Sequence, residues 1–112
     1  MSPLNTKTCT PCQGGISPLN ETETARYLQE LTDDWNIIDA HHLECTYTFP
    51  DFVSALDYTN AIAHIAEQEG HHPNILLTWG KVTVSIWTHK INGLHENDFI
   101  LASKCEDVYQ NR

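Results

Sequence analysis

Hydrophobic residues along the chain change their spacing several times, and each change predicts a different kind of secondary structure. Spacings of three and four over residues 19–32 predict a first helix with Ala25, Leu28 and Leu31 on its apolar face, ending near Thr32. Asn20 precedes it in a capping position. Apolar and polar residues then alternate over 35–39 and 43–49, which predicts two strands joined as an antiparallel hairpin near Ala40 and His41.

A similar succession follows in the second half of the chain. Spacings of three and four predict a longer helix that begins after Pro50 and Asp51 and ends at Gly70. Its predicted core face consists of Phe52, Leu56, Thr59, Ala63 and Ala66. Residues 74–79 and 82–89 predict a second hairpin around Gly80, and a third helix is predicted from about Glu96. The face of this last helix carries Asp98, Leu101, Ala102, Cys105, Val108 and Tyr109.

The predicted order is α-β-β-α-β-β-α, which indicates an α+β fold with a four-stranded antiparallel sheet and three helices on one face. Residues 1–18 are interrupted by proline and glycine and predict an irregular N-terminal segment with a Cys-x-x-Cys pair. Residues 19–112 are expected to form one domain with a single core.

Charge and composition exclude several classes of function. Six Lys and Arg against fifteen Asp and Glu give a net charge of -9, which disfavours direct binding to a nucleic-acid backbone. No apolar run approaches the roughly 18 residues of a membrane span, so a membrane protein is not expected. The first twenty residues also contain no recognisable targeting segment, and we therefore expect a cytoplasmic protein.

The four cysteines fall into two pairs with different contexts. Cys45 lies in an alternating strand pattern and Cys105 on an apolar helix face, which predicts buried thiols. Cys9 and Cys12 have the spacing of half a zinc site or of a redox pair. Because no matching second half exists, we interpret them as solvent-exposed thiols without a catalytic role.

The chemistry-bearing residues of the chain are concentrated in His71-His72-Pro73 and in His89. Glu67 precedes His71 by four residues, so the two should face the same side of the helix end. Pro73 favours an extended backbone at His72, so the neighbouring imidazoles should have different partners. His89 is expected on the fourth strand, where its parity directs the ring away from the helix-covered face.

Several imidazoles in one pocket can exchange protons near neutral pH, which points to general acid–base catalysis. Two other interpretations remain open on the residues alone: capping of a helix C-terminus by imidazolium, and a zinc site built from three histidines. Adjacent histidines rarely converge on one ion, so a metal is not expected.

His41 and His42 are expected to be a solvated pair in a hairpin turn. The three tryptophans are expected in the core or in a subunit contact, and they are Trp35, Trp79 and Trp87.

The residues 67–73 together with Trp87-Thr88-His89, Gly93-Leu94 and Asp98-x-x-Leu101-Ala102 resemble the pterin-4a-carbinolamine dehydratases. The resemblance covers about residues 19–110. Bacterial members of that family often carry a short N-terminal segment with a Cys-x-x-Cys pair, which Cys9 and Cys12 resemble.

The resemblance implies dehydration of a 4a-hydroxytetrahydropterin to a quinonoid dihydropterin, without metal or organic cofactor, after an aromatic amino-acid hydroxylase has formed the carbinolamine. It implies catalytic roles for His71, His72 and His89, with His71 or His72 protonating the hydroxyl and His89 orienting the substrate. The residues implied in substrate binding are Glu67, Pro73, Thr88, Lys90 and Ile91. A homodimer or homotetramer is expected as well.

The chain departs from the family pattern at three positions. Gly70 stands where many relatives have a polar or acidic residue, and Trp87 stands where smaller residues are common. His95 replaces the usual Ser or Thr cap of the third helix, which would cost about 1 kcal/mol unless the imidazole or Asp98 compensates.

Two alternative functions remain at this stage. Relatives of the family serve as dimerisation cofactors for a homeodomain transcription factor, so the chain could be a non-catalytic regulatory binding module. A related enzyme that acts on a molybdopterin-type pterin is the other alternative.

Overall fold

The computed structural model describes residues 4–10 and 14–112 and has the predicted order of elements. The helices are α1 (Glu21–Leu28), α2 (Phe52–Glu69) and α3 (Glu96–Gln110). The strands are β1 (Asn36–Ile38), β2 (His42–Thr48), β3 (Asn74–Thr78) and β4 (Lys81–Ile86). They form one antiparallel sheet in the spatial order β1-β2-β4-β3. The predicted α+β class and element order are confirmed.

The sheet buries one face beneath the helices, because alternate residues of its two central strands are apolar. Six of these side chains are at most 2% exposed: Leu43, Cys45, Tyr47, Val82, Val84 and Ile86. On the opposite face the hydroxyls of Thr46 and Thr83 hydrogen-bond at 2.9 Å, and Leu76 is exposed. The two faces therefore follow the period-two pattern of the strands.

Helix α1 is shorter than predicted and α2 buries a different face. Helix α1 ends at Leu28 rather than near Thr32, and Ala25 is exposed. The buried face of α2 consists of Ala55, Tyr58, Ile62 and Ala66, so of the predicted set only Ala66 is buried. Tyr58 lies on the buried face, where its hydroxyl donates to the Cys105 carbonyl at 2.8 Å, so its polar group is satisfied there. Phe52, Val53 and Leu56 are left exposed.

Residues 4–10 lie against α3. Leu4, in a short 3₁₀ turn over Leu4–Thr6, is only 3% exposed and joins the core, and Lys7 forms an ion pair with Glu96 at 2.6 Å. Cys9 is half-buried, so the expectation of an exposed thiol is wrong there, while Cys12 lies outside the described residues. Cys45 and Cys105 are buried as predicted. Within the described ranges, no helix has the length and apolar content that crossing a membrane requires.

Candidate active site

The end of α2 determines where the paired histidines lie. Gly70 adopts the left-handed conformation with φ of 65° and closes the helix, and the backbone N–H of His71 donates to the Ala66 carbonyl at 3.2 Å. A side chain at position 70 would be strained in this conformation. The glycine that departs from the family pattern is therefore explained by the turn that redirects the chain into His71 and His72.

His71 is held by a carboxylate that the sequence reasoning did not include in the site. Its Nε2 lies 2.5 Å from Oδ1 of Asp98, whose side chain is fully buried. The other carboxylate oxygen accepts hydrogen bonds from the Thr88 hydroxyl at 2.9 Å and from the His95 backbone N–H at 2.8 Å. Both oxygens of Asp98 are thus satisfied, and both hydrogen bonds to its second oxygen come from the chain leading into α3. In the sequence, Asp98 is recognisable only as an acidic residue near the start of the third helix, which predicts a role in capping that helix.

Asp98 and His95 together also begin α3. The Nδ1 atom of His95 accepts a hydrogen bond from the Asn97 backbone N–H at 3.1 Å, while Asp98 accepts from the His95 backbone. The imidazole therefore replaces the usual hydroxyl cap, and the anticipated loss of capping is compensated.

His72 has a different and more exposed partner. Its Nε2 lies 2.9 Å from Oε2 of Glu67, with the two side chains 61% and 78% exposed. The prediction that the two neighbouring imidazoles have different partners is confirmed. Glu67 pairs with His72 rather than with His71, because the left-handed turn at Gly70 changes which residue lies above the last turn of α2.

His89 does not lie on a strand. Strand β4 ends at Ile86, and the backbone N–H of Thr88 donates to the Gly93 carbonyl at 2.9 Å, which closes a loop around the 3₁₀ turn His89–Ile91. The prediction from strand parity is therefore wrong. Thr88 is 3% exposed, its hydroxyl donates to Asp98, and its backbone pairs with Gly93, so the chain leaves the regular strand here.

An aromatic cluster surrounds His89. Its ring stacks on the Trp87 indole with centroids 4.5 Å apart and planes inclined by 10°. His41 and His42 lie 5.2 and 5.8 Å from the same indole, and His41 Nε2 contacts Asn92 Oδ1 at 2.8 Å. The expectation that His41 and His42 are simply solvated is wrong, because both are half-buried against Trp87. We call His41, His42, Trp87 and His89 the aromatic wall.

The predicted catalytic histidines border one cavity of about 400 Å³. This volume falls in the range of small-molecule sites, about 300–1,000 Å³. The lining residues are Thr10, Gly70, His71, His72, Trp87, Thr88, His89, Lys90 and Asn97. Of the residues expected to bind substrate, Thr88 and Lys90 line the cavity. Glu67, Pro73 and Ile91 do not, although Glu67 reaches it through His72.

Thr10 and Asn97 were missed by the sequence reasoning. No local pattern pairs Thr10 with Asn97, since 87 residues separate the two in the chain. Nearby, burial and the negative charge of Glu69 raise the pKa of the Cys9 thiol to about 12.

Among the described residues, no group of three or more His, Cys, Asp or Glu side chains is arranged to hold a metal ion.

A buried carboxylate paired with one imidazole, with two further imidazoles on the same cavity, can give and take protons on a bound ligand. The family model for pterin 4 alpha carbinolamine dehydratase matches residues 17–108. A provisionally named pterin-4-alpha-carbinolamine dehydratase from Rickettsia canadensis is 55% identical over 95% of this chain and 97% of its own. A second protein of the same provisional name, from Alkaliphilus metalliredigens, is 48% identical over 95% of this chain and 96% of its own length.

A solved structure gives the same result for the fold. The crystal structure of a transcriptional coactivator/pterin dehydratase from Brucella melitensis has a TM-score of 0.77 and 30% identity, and the match covers 82% of this chain and 98% of that one.

Proposed function

The chain belongs to the pterin 4 alpha carbinolamine dehydratase family, and from that premise we propose that it is a hydro-lyase that dehydrates 4a-hydroxytetrahydropterin to quinonoid dihydropterin by histidine acid–base catalysis. The observation that carries the proposal is the meeting of His71, His72 and His89 around one cavity, with a buried carboxylate behind His71.

The reaction requires two proton transfers and no change of oxidation state. The C4a–O bond breaks when an acid protonates the departing hydroxyl, and a base removes the proton from N5 as the new double bond forms. Water is the leaving group. Positioned acid–base groups typically accelerate such steps about 10²- to 10⁴-fold, and imidazole is suited to both at neutral pH.

The geometry supports a specific role for each histidine. Asp98 holds Nε2 of His71 and orients its ring, so we assign His71 the protonation of the hydroxyl through its other nitrogen, Nδ1. His72 pairs with the exposed Glu67, is itself 61% exposed, and is therefore suited to exchange protons with solvent. His89, held by stacking on Trp87, orients the substrate.

We place the activity in tetrahydrobiopterin recycling after aromatic amino-acid hydroxylation, in a cytoplasmic homodimer or homotetramer that uses no cofactor. The assembly is supported by exposed apolar residues on α2, namely Phe52, Val53 and Leu56, which a partner subunit would cover.

The test follows the decay of freshly generated 4a-hydroxytetrahydropterin by stopped-flow ultraviolet absorbance. Wild-type protein should accelerate the decay, and His71→Ala and His89→Ala should each lower kcat by about 10²-fold or more. His64→Ala is the matched control, because His64 is an exposed histidine on α2 outside the cavity. Full activity of His71→Ala, of His89→Ala and of a third variant, His72→Ala, would reject the acid–base assignment.

A second candidate is a non-catalytic binding module. The Brucella melitensis relative is described as a transcriptional coactivator/pterin dehydratase, and the exposed apolar face of α2 could receive a partner helix. Binding of a partner protein by a chain that leaves carbinolamine decay unchanged would favour this candidate. Preferential competition by a molybdopterin-type pterin would favour the remaining alternative substrate.

A further inference from the structure

The N-terminal residues 4–10, which we call the strap, lie before the region matched by the family model. The strap nevertheless reaches the cavity, because Thr10 is one of its lining residues. This segment was expected to be an irregular addition to the domain. Its contacts instead place it between the two elements that hold His71.

Two consecutive residues of the strap bind both of these elements. The backbone N–H of Cys9 donates to Glu69 Oε1 at 2.7 Å, and Glu69 is the last residue of α2 before the turn into His71. At Thr10 the backbone N–H donates to Asn97 Oδ1 at 3.0 Å, and the carbonyl accepts from Asn97 Nδ2 at 2.6 Å. Asn97 is only 3% exposed and directly precedes Asp98.

The remaining contacts of the strap fix it along α3. Leu4 is buried in the core, the Asn5 carbonyl accepts from Lys104 Nζ at 3.1 Å, and Lys7 pairs with Glu96. The position of Thr10 is therefore fixed by contacts at several points of the strap. Asn97 makes the most specific of these contacts, because its side chain hydrogen-bonds both the N–H and the carbonyl of Thr10.

This arrangement leaves one polar group of Thr10 for a ligand. Both backbone groups are occupied by Asn97, while within the described part of the chain the Thr10 hydroxyl has no hydrogen-bond partner. The residue is exposed and borders the same cavity as the histidines. A hydroxyl can donate to or accept from the polar edge of a bicyclic heterocycle.

We propose that Thr10 is a substrate-binding residue of the cleft and that Asn97 is its positioning residue, so that the strap contributes to affinity for the pterin. This inference rests on the proposed function. It assigns the strap no part in the proton transfers, which the proposed function gives to His71 and His72.

The test compares Thr10→Val with Thr8→Val. The first removes the hydroxyl while keeping the shape of the side chain, and the second makes the same change at an exposed strap residue outside the cavity. Loss of one hydrogen bond should raise KM about 3- to 10-fold in Thr10→Val with kcat nearly unchanged. The dissociation constant for 7,8-dihydrobiopterin, measured by calorimetry, should rise by the same factor. Thr8→Val should match wild type in both measurements.

The role of Asn97 is tested by a double-mutant cycle. Asn97→Ala should also raise the dissociation constant for 7,8-dihydrobiopterin, and adding Thr10→Val should produce no further rise, because both changes remove the same contact. Additive effects would overturn the positioning role. Circular dichroism establishes that each variant is folded, and the Thr10 comparison decides the main inference even if Asn97→Ala does not fold.

The outcomes separate this inference from the proposed function. If wild-type protein neither binds 7,8-dihydrobiopterin nor accelerates carbinolamine decay, the proposed function fails. If wild type does both and Thr10→Val behaves like Thr8→Val, the proposed function stands and the inference about the strap is overturned.

Discussion

His71 and His89 line the same cavity, yet the groups that hold them differ in kind. The His71 side chain is 13% exposed and pairs with a fully buried carboxylate, which itself accepts hydrogen bonds from Thr88 and His95. His89 is exposed and rests face to face on the Trp87 indole. A carboxylate determines both the orientation and the proton position of an imidazole, whereas stacking determines orientation alone.

In the proposed mechanism, this difference separates two tasks within one small cleft. Proton transfer needs a histidine whose ring is oriented by a hydrogen-bonding partner, and Asp98 is that partner for His71. Substrate orientation needs a ring held in place at little electrostatic cost, and the aromatic wall supplies that. The following experiments test this division, beginning with the largest expected effect.

Replacing the carboxylate behind His71 should have the largest effect. In Asp98→Asn the remaining oxygen can still accept from Thr88 and His95, while the amide N–H₂ faces His71 and favours the opposite tautomer. We expect kcat to fall by about 10²- to 10⁴-fold with the fold retained. Single-turnover kinetics and circular dichroism measure the two quantities. A variant with wild-type kcat would show that the carboxylate is only structural.

The reactivity of the half-buried Cys9 thiol measures how far water is excluded from the region near Asp98. Burial first, then Glu69 and to a smaller extent Asp98, raise the pKa of Cys9 to about 12 from an ordinary 9.0. At pH 8 its alkylation by iodoacetamide should therefore be about 10³-fold slower than in the unfolded chain, because the thiolate is the reacting form. Peptide mapping by mass spectrometry reports the rate at Cys9.

The raised pKa of Cys9 also predicts a direction for stability. The neutral thiol is favoured in the folded state, so its contribution is complete below pH 9 and is lost as the pH rises from 9.0 towards 12. Equally fast alkylation in the native and urea-unfolded protein would contradict a desolvated thiol and would weaken the contrast with the open His89 side.

Removing the indole tests the aromatic wall. An aromatic pair contributes about 0.5–1.5 kcal/mol, so Trp87→Ala should lower kcat/KM about 2- to 12-fold through loss of His89 orientation. Trp87→Phe retains a stacking ring and should recover most of this loss. If Trp87→Leu performs as well as Trp87→Phe, apolar area rather than stacking holds His89.

The smallest effect is expected at the exposed pair of His72 and Glu67. Exposed ion pairs contribute about 0.2–1 kcal/mol and are screened by salt, so Glu67→Gln should lower kcat/KM at most about 5-fold. The difference from wild type should shrink further between low and high ionic strength. A loss as large as that of Asp98→Asn would place Glu67 in the proton-transfer machinery.

Much of the fold could be predicted from local pattern. The element order, both hairpins, the Asn20 cap and the helix stop at Gly70 follow from spacing and from residue-specific backbone preferences. The predictions were wrong in two situations. On α2, two faces of the helix carry residues at the same helical spacing, and elsewhere an element ends at residues that contact a distant part of the chain. Thr88 illustrates the second case: it hydrogen-bonds Asp98 and pairs with Gly93 in the loop around His89, whereas alternation alone would extend the strand to His89.

The candidate site divides in the same way. The three imidazoles of the proposed acid–base set, His71, His72 and His89, could be identified from the sequence because they are adjacent or lie in a motif. The pairing of His71 with Asp98, the stacking of His89 on Trp87 and the contact of Thr10 with Asn97 depend on the tertiary structure. Periodicity and capping involve residues a few positions apart, so they can be recognised in the sequence. The partner of a buried polar group depends on which distant segment packs beside it, so it cannot.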